Sequence, residues 1–536
     1  MHPALKPVSR RCHRPSRRIV PAVLRPAFTL TVCIPALAVC AHAASSSTGC
    51  TRLSGLKLRH TTIAQAVAVP AGPITLNGPF GIHSVRLPSF CRVSGAIAPV
   101  PGSTIGFEVW LPLANWNGRY EGVGNGGLAG NISYEALADA LRSGYAAAST
   151  DTGHKGMMMN GEWALGHPQR IIDYGYRAVH EMTVKAKAII TAFYGSPASY
   201  SYWNGCSEGG SQALSEAQRY PSDYNGILAG APANYMVHLQ AGGNWISQAI
   251  HEDPASFIPA SKLPAIQKAV LAQCDAADGV RDGILEDPRT CHFNPGTMIC
   301  DAAGGPDCLT RAQADGLRKI YDGARNPRTG QLVFPGYMRG GEAGWALWIA
   351  GDHVPPRNLQ HGISVQFFQN FVFNNPDWDW KTFDFDKDVA FADKKAGAIT
   401  NHIDPNLSAF KRHGGRLLQY HGWSDPAISP LNSINYFESV QRRMGNTSGF
   451  YRLFMIPGME HCGGGPGASR FDHMAVIRDW VEKNEAPDRI VAGRPGRTHP
   501  LCPYPQIATY SGSGSTDDAA SYTCALPPDR PAANGH

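Results

Sequence analysis

Short apolar runs alternate with amphipathic ones from about residue 105 to 245. "TIGFEVWLPL", "YAAAST" and "YSYWNG" are apolar enough to read as strands. "AVHEMTVKAKAIITAFYG" carries apolar residues at helical spacing and ends in glycine, a helix with its stop signal. After "YSYWNG" comes "SQALSEAQRYP", a helix closed by Pro221, and then the strand-like "GILAGAPA". The alternation lapses from about 234 to 403, where four cysteines, an acidic loop and an aromatic-rich tract show no regular order. It resumes with "GGRLLQYHG" as a strand, "LNSINYFESVQRRM" as a helix and "GFYRLFMIPG" as a strand. This pattern predicts an α/β fold in which one sheet is interrupted by a large insertion. The expected divisions are a leader at 1–43, a first core part at 44–233, an inserted domain at 234–403 and a second core part at 404–536.

One serine sits where the pattern turns from strand to helix. Gly205-Cys206-Ser207-Glu208-Gly209 fits G-x-S-x-G, in which glycines permit a sharp turn that lifts the hydroxyl clear of the backbone. Taken alone, the motif also fits an ordinary glycine-rich turn. A nucleophilic serine needs a base, and the base an orienting carboxylate, in the chain order Ser, Asp or Glu, His for this fold class. Asp425 ends the strand of "LLQYHGWSDPAIS", and His461 follows the strand of "FYRLFMIPGMEHCGGGPG". Each could be a plain loop residue, and His421 and His154 compete for the base, although both fall at the wrong point in that order. Cys206 precedes Ser207 and Cys462 follows His461, so a disulfide between them would hold serine against histidine. Oxyanion donors are expected from the Glu208 amide and from the glycine-rich "RYEGVGNGGLAGN", with Gly127 the best placed.

Charge removes one class of partner. The net charge is +6, but seven basic residues and no acidic ones fall within residues 1–43. The remainder is near neutral, so no nucleic-acid or membrane surface is implied. The basic start, the apolar run after it and Ala41-His42-Ala43 read as an export signal. A lipoprotein at Cys40 and a twin-arginine route are the weaker alternatives. Thirteen cysteines become ten after cleavage, an even number that suits a disulfide framework. Close spacing favours Cys274–Cys291, Cys300–Cys308 and Cys502–Cys524. Inside "CDAADGVRDGILEDPRTC", Asp275, Asp278 and Asp282 could converge on Ca²⁺, with carbonyls of Val280 and Ile284 completing the shell. The alternative is a solvated acidic loop. No organic cofactor is implied.

Taken together, "FCRVSGAIAP", "WNGRYEGVGNGGLAG", "STDTGH", "GCSEGGSQALSEAQRYPSDYNGILAGAPA", "CDAADGVRDGI", "YHGWSD", "PGMEHCGGGPG" and "LCPYPQIATYSGSG" resemble the tannase and feruloyl esterase family of α/β-hydrolases. The resemblance spans nearly all of the mature chain. It implies an α/β-hydrolase fold with a lid, a triad of Ser207, Asp425 and His461, the pair Cys206–Cys462, a structural Ca²⁺ in the acidic loop, and a further pair Cys50–Cys91. The sequence is also similar to the family's terephthalate monoester hydrolase branch. That branch implies Trp348, in "GWALWIAG", as a lid wall for an aromatic acyl group. Ile428 stands where it has phenylalanine, and its carboxylate-gripping lid arginine has no clear counterpart, Arg357 being merely near. The expected protein is an exported serine esterase acting on small esters of phenolic acids, such as feruloyl or galloyl esters. A terephthalate monoester hydrolase, and a non-catalytic calcium-stiffened binding module, are the alternatives.

Overall fold

The runs that are apolar throughout become the centre of the sheet. Ala146–Thr150 and Gly226–Gly230 are buried at every position, as strands covered on both faces must be. The computed structural model describes residues 48–78, 81–128, 130–301, 305–351 and 358–527. The expected leader, the terminal "DRPAANGH" and Arg357 lie outside the described residues. Among those described, no helix is long and apolar enough to cross a membrane.

Nine strands form the main sheet: β1 (Thr61–Val69), β2 (Phe90–Ile97), β3 (Ile105–Pro112), β4 (Arg119–Val123), β5 (Ala146–Thr150), β6 (Tyr200–Cys206), β7 (Gly226–Gly230), β8 (Arg416–Gly422) and β9 (Tyr451–Ile456). Their order across the sheet is β1-β2-β3-β5-β4-β6-β7-β8-β9. The pairs β1–β2, β2–β3 and β3–β5 are antiparallel, and every pair from β5 to β9 is parallel. The sequence pattern marks no element before residue 105. β1 is a half-exposed edge strand there, so it carries little of the apolar signature of a buried one.

From β4 the chain passes to β5 on one side, then back across β4 to β6 on the other. The connections leaving the carboxyl ends of β4 and β6 diverge, and such a switch point opens a crevice where ligands of open α/β sheets bind. The glycine-rich loop leaves β4 and Ser207 leaves β6, with Gly124 N–H donating to the Asn204 carbonyl at 3.0 Å. Helix α1 (Ala178–Tyr194) ends at Gly195, whose φ of 77° is the left-handed cap that glycine adopts without strain. Against helix α2 (Glu208–Arg219), His180 Nδ1 lies 2.6 Å from Asp223 Oδ2, and the Glu216 carboxyl is buried beside the same aspartate. Lys187 donates to the Asp223 carbonyl and sets a cation against this acidic pair.

β7 and β8 are neighbours, Gly226 opposite Arg416 and Gly230 opposite Tyr420, yet the whole insertion runs between them. Among its described residues the insertion adds no strand to the main sheet and forms a ribbon of Ala324–Arg325 with Leu332–Phe334. Its helices α3 (Met236–His251) and α4 (Leu359–Phe367) pack together, and Phe367, Phe368, Phe371 and Phe383 build an apolar cluster beside them. The inserted chain is bonded back to the loop after β8. Tyr337 Oη donates to the Ala427 carbonyl at 2.9 Å, and Ser429 Oγ to the Gly336 carbonyl at 2.7 Å. This is an α/β-hydrolase fold with a large inserted lid. Among the described residues five disulfides brace it: Cys50–Cys91, Cys206–Cys462, Cys274–Cys291, Cys300–Cys308 and Cys502–Cys524.

Candidate active site

Ser207 occupies the turn between β6 and α2 with φ 63° and ψ −119°, a strained conformation for a residue with a side chain. Its backbone is held on three sides. Ser207 N–H donates to the Gly230 carbonyl, and the Ser207 carbonyl accepts from Ser211 and Ala233, each at 3.0 Å. A Cβ on Gly205 would run into the Gly209 carbonyl, so the turn can close only with glycine there.

Asp425 follows β8 in a tight turn that its own side chain stabilises. Oδ1 accepts from the Ala427 and Ile428 amides at 2.7 and 2.9 Å. Oδ2 faces two imidazoles, His461 Nδ1 at 2.8 Å and His421 Nε2 at 3.1 Å. Burial alone would raise this carboxyl, but the histidines beside it hold it well below the usual carboxylate range. An ionised carboxylate only accepts, so Nδ1 of His461 carries the proton and Nε2 is left free as a base. His421 is fully buried, and its Nε2 also reaches the Ile428 carbonyl at 3.1 Å, so that nitrogen too is a donor. Ser433 Oγ, 2.7 Å from Nδ1, completes its bonding. The chain-order rule sets His421 aside as the base, yet the structure brings it to the site on the other side of Asp425. Its position at the end of a strand, four residues before the aspartate, is the signal that could have found it.

The Cys206–Cys462 disulfide joins the residues beside Ser207 and His461, with Cα atoms 5.9 Å apart. It bridges the end of β6 to the loop after β9, two strands that the sheet order separates by two others.

Gly127 lies in the loop after β4 with φ 58°, and a Cβ there would come within 2.7 Å of the Met158 carbonyl. Tyr174 Oη donates to the Gly127 carbonyl at 2.9 Å. The next carbonyl, of Leu128, accepts from His154 Nε2 at 3.0 Å and Trp163 Nε1 at 3.2 Å. Burial pushes His154 down to about 4, so it is a neutral donor to that carbonyl. Glu208, the residue after the serine, begins α2 and buries its side chain.

Trp348 reaches His461 edge-on, ring centres 5.1 Å apart. Ile428 is only 3% exposed and packs in the cluster that also holds Leu128 and touches Trp348. Ile428 therefore backs this wall rather than facing solvent. A groove of about 410 Å³ lies between α4 and the loop packed on Gly127, lined by Met157, Met159, Asn160, His361 and Gln366.

In the acidic loop, Asp275 accepts from Gly283 N–H with both oxygens at 3.0 and 3.2 Å. Asp278 accepts from the Val280 and Glu286 amides, and Asp282 from the Ile284 amide while pairing with Arg497. Asp278, Val280, Asp282, Ile284 and Glu286 line a cavity of about 20 Å³, and Asp275 is not on its wall. Burial pushes Asp278 up to about 6, with Asp282 and Glu286 adding like charge. Oxygen donors crowded at one small cavity fit a hard cation such as Ca²⁺, and Arg497 offsets part of their charge. Glu286, inside the same Cys274–Cys291 loop, is the acid that sequence reasoning left out.

The sheet order, the strained serine turn and the lid closing over the carboxyl ends of the strands define an α/β-hydrolase. The tannase and feruloyl esterase family model matches residues 91–525. An uncharacterized esterase of Xanthomonas campestris pv. campestris is 40% identical over 90% of this chain and 92% of its own. The mono(2-hydroxyethyl) terephthalate hydrolase of Piscinibacter sakaiensis is 34% identical over 84% of this chain and 87% of its own. The crystal structure of feruloyl esterase B from Aspergillus oryzae superimposes with a TM-score of 0.82 at 28% identity, covering 90% of this chain and all of that one. The chain belongs to the tannase and feruloyl esterase family and is a carboxylic ester hydrolase. The reading as a non-catalytic binding module is thereby set aside.

Proposed function

We propose that the protein is an exported serine esterase that cleaves small esters of phenolic acids, of the feruloyl or galloyl kind, through an acyl-enzyme. The observation that carries this reading is the Asp425–His461 hydrogen bond, fastened to the Ser207 turn by the Cys206–Cys462 disulfide. Ser207 attacks the ester carbonyl while Nε2 of His461 takes its proton. Asp425 keeps the imidazole in that tautomer and stabilises its charged form. The Gly127 and Glu208 amides receive the oxyanion. His461 then protonates the departing alcohol, and water, deprotonated by the same nitrogen, releases the acid.

Trp348 and the cluster that holds Ile428 and Leu128 offer apolar surface to a flat aromatic acyl group. A terephthalate monoester would bring a carboxylate there, and these groups give it no charge partner. That reading is not favoured. The acidic loop is proposed to hold a structural Ca²⁺ through Asp278 and Asp282 with the carbonyls of Val280 and Ile284, and Glu286 takes the place on the cavity wall that the sequence assigned to Asp275. Five disulfides support export.

The test is hydrolysis of methyl ferulate, methyl caffeate, methyl gallate and mono(2-hydroxyethyl) terephthalate by wild type and Ser207→Ala. Wild type should prefer the phenolic esters, and Ser207→Ala should lose roughly 10⁴-fold or more in kcat with an unchanged melting temperature. Near-normal turnover by Ser207→Ala would remove the mechanism. Preference for the terephthalate ester would remove the substrate class.

A further inference from the structure

Both segments proposed to bind the oxyanion lean on one phenol. Tyr174 Oη donates to the Gly127 carbonyl at 2.9 Å, and the same hydroxyl lies against the Glu208 carboxyl. Tyr174 is 1% and Glu208 2% exposed, and Oε2 of Glu208 is buried without a partner. A phenol has one proton. Given to the Gly127 carbonyl, it leaves only a lone pair towards Glu208, so the carboxyl must be the donor between them. An ionised Glu208 would instead compete with that carbonyl for the proton, and would bury its charge with nothing but the phenol to bond it. Burial indeed holds the Glu208 carboxyl well above its usual range.

The consequence falls on the peptide between Gly127 and Leu128. Its N–H, on Leu128, donates to the Met158 carbonyl at 2.8 Å, and its C=O, on Gly127, accepts from Tyr174. Bonded at both ends, that plane is held, and Gly127 is fixed on its carboxyl side, next to the N–H proposed to receive the oxyanion. Tyr174 is itself wedged between Trp163 of the core and Phe371 of the lid, with ring centres at 5.4 and 5.7 Å.

We propose that Glu208 O–H, Tyr174 O–H and Gly127 C=O form a hydrogen-bond relay that fixes the spacing of the two oxyanion-hole amides. The inference rests on the serine mechanism above. Tyr174 and the Glu208 side chain are positioning residues in it, and the donors to the oxyanion remain the backbone amides.

The experiment compares wild type, Tyr174→Phe, Glu208→Ala, Glu208→Gln and Ser207→Ala. It measures kcat and KM on methyl ferulate, and inhibition by an aryl boronic acid, which forms a tetrahedral adduct, and by free ferulate, which does not. Tyr174→Phe should lower kcat about 10- to 100-fold, less than or near the loss of a whole oxyanion donor, with KM within about threefold. Boronate inhibition should weaken by a similar factor while ferulate inhibition holds. Glu208→Ala should fall likewise, and Glu208→Gln should recover most of that loss, because its amide can still donate to Tyr174. The ratio of boronate to ferulate affinity does not depend on the folded fraction, so a destabilised variant still answers. Ser207→Ala inactive with Tyr174→Phe normal would overturn the relay alone, as would equal weakening of both inhibitors or a Gln variant no better than Ala. Ser207→Ala active would overturn the serine mechanism and the relay with it.

Discussion

Glu121 lies inside the sheet on β4, next to the strand that carries the serine, and it accepts from Asn204 Nδ2 at 3.1 Å. Burial pushes its carboxyl up to about 7 from 4.5, and Asp139 and Asp472 push the same way. Between those values the folded protein holds a proton that the unfolded chain has released. Stability is therefore lost as pH rises from about 4.5 to 7, and the loss levels off above, at a total on the order of 3 kcal/mol. Glu121→Gln should remove this slope. Urea unfolding should find the variant more stable than wild type at pH 8 and nearly equal to it at pH 4.5. An advantage that does not grow with pH would show that Glu121 ionises freely in the fold. At this scale the sequence is legible where chemistry has a local signature. Ser207 has its glycines, and Asp425 and His461 stand in loops after recognisable strands. Tyr174 has no such mark, because it acts through a partner more than forty residues away, and His421 is marked only by its place at a strand end, four residues before the aspartate.

The elements repeat that division. The helix Leu431–Met444 coincides with the run that the sequence pattern marks, because its faces differ sharply in polarity. The first strands do not, since an edge strand is exposed on one side and buried residues are too sparse to alternate. The lid is irregular for a related reason. Its core is a knot of aromatic rings rather than a stripe along one helix, and at Ala346–Ala350 and Phe368–Val372 the helices widen into π turns that no simple period foretells. The first of these turns carries Trp348. Stacking of an aromatic acyl group is worth roughly 0.5–1.5 kcal/mol beyond area burial, so Trp348→Ala should reduce kcat/KM for ferulate and gallate esters roughly tenfold more than for acetate esters. Equal losses on aromatic and acetate esters would show that this turn does not select the acyl ring.

Across the whole molecule, the acidic loop joins parts that the sequence keeps far apart. Read from spacing alone it belongs to the lid. In the structure Glu286 also takes His499 Nε2 at 2.9 Å and the Ala508 amide at 2.8 Å, and Arg497 pairs with Asp282. Pro457 and Ala468, which bracket the His461 loop, wall the same cavity. If Ca²⁺ binds here, chelation should lower the melting temperature by a few degrees, as removal of any ligand specific to the native state does. It should lower kcat as well, because the histidine loop loses its support. Elemental analysis without calcium, or melting and turnover that both ignore chelator, would refute the site. The Cys206–Cys462 bridge spans 256 residues, whereas Cys274–Cys291 and Cys300–Cys308 span 17 and 8. A chain emerging amino end first thus exposes Cys206 to oxidant while its partner is still unmade and four other thiols are passing. Wrong pairs formed then must be exchanged before serine and histidine can meet. Two preparations of equal mass and solubility can therefore differ in how many molecules ever become catalysts, and the oxidative machinery of the producing cell decides that number.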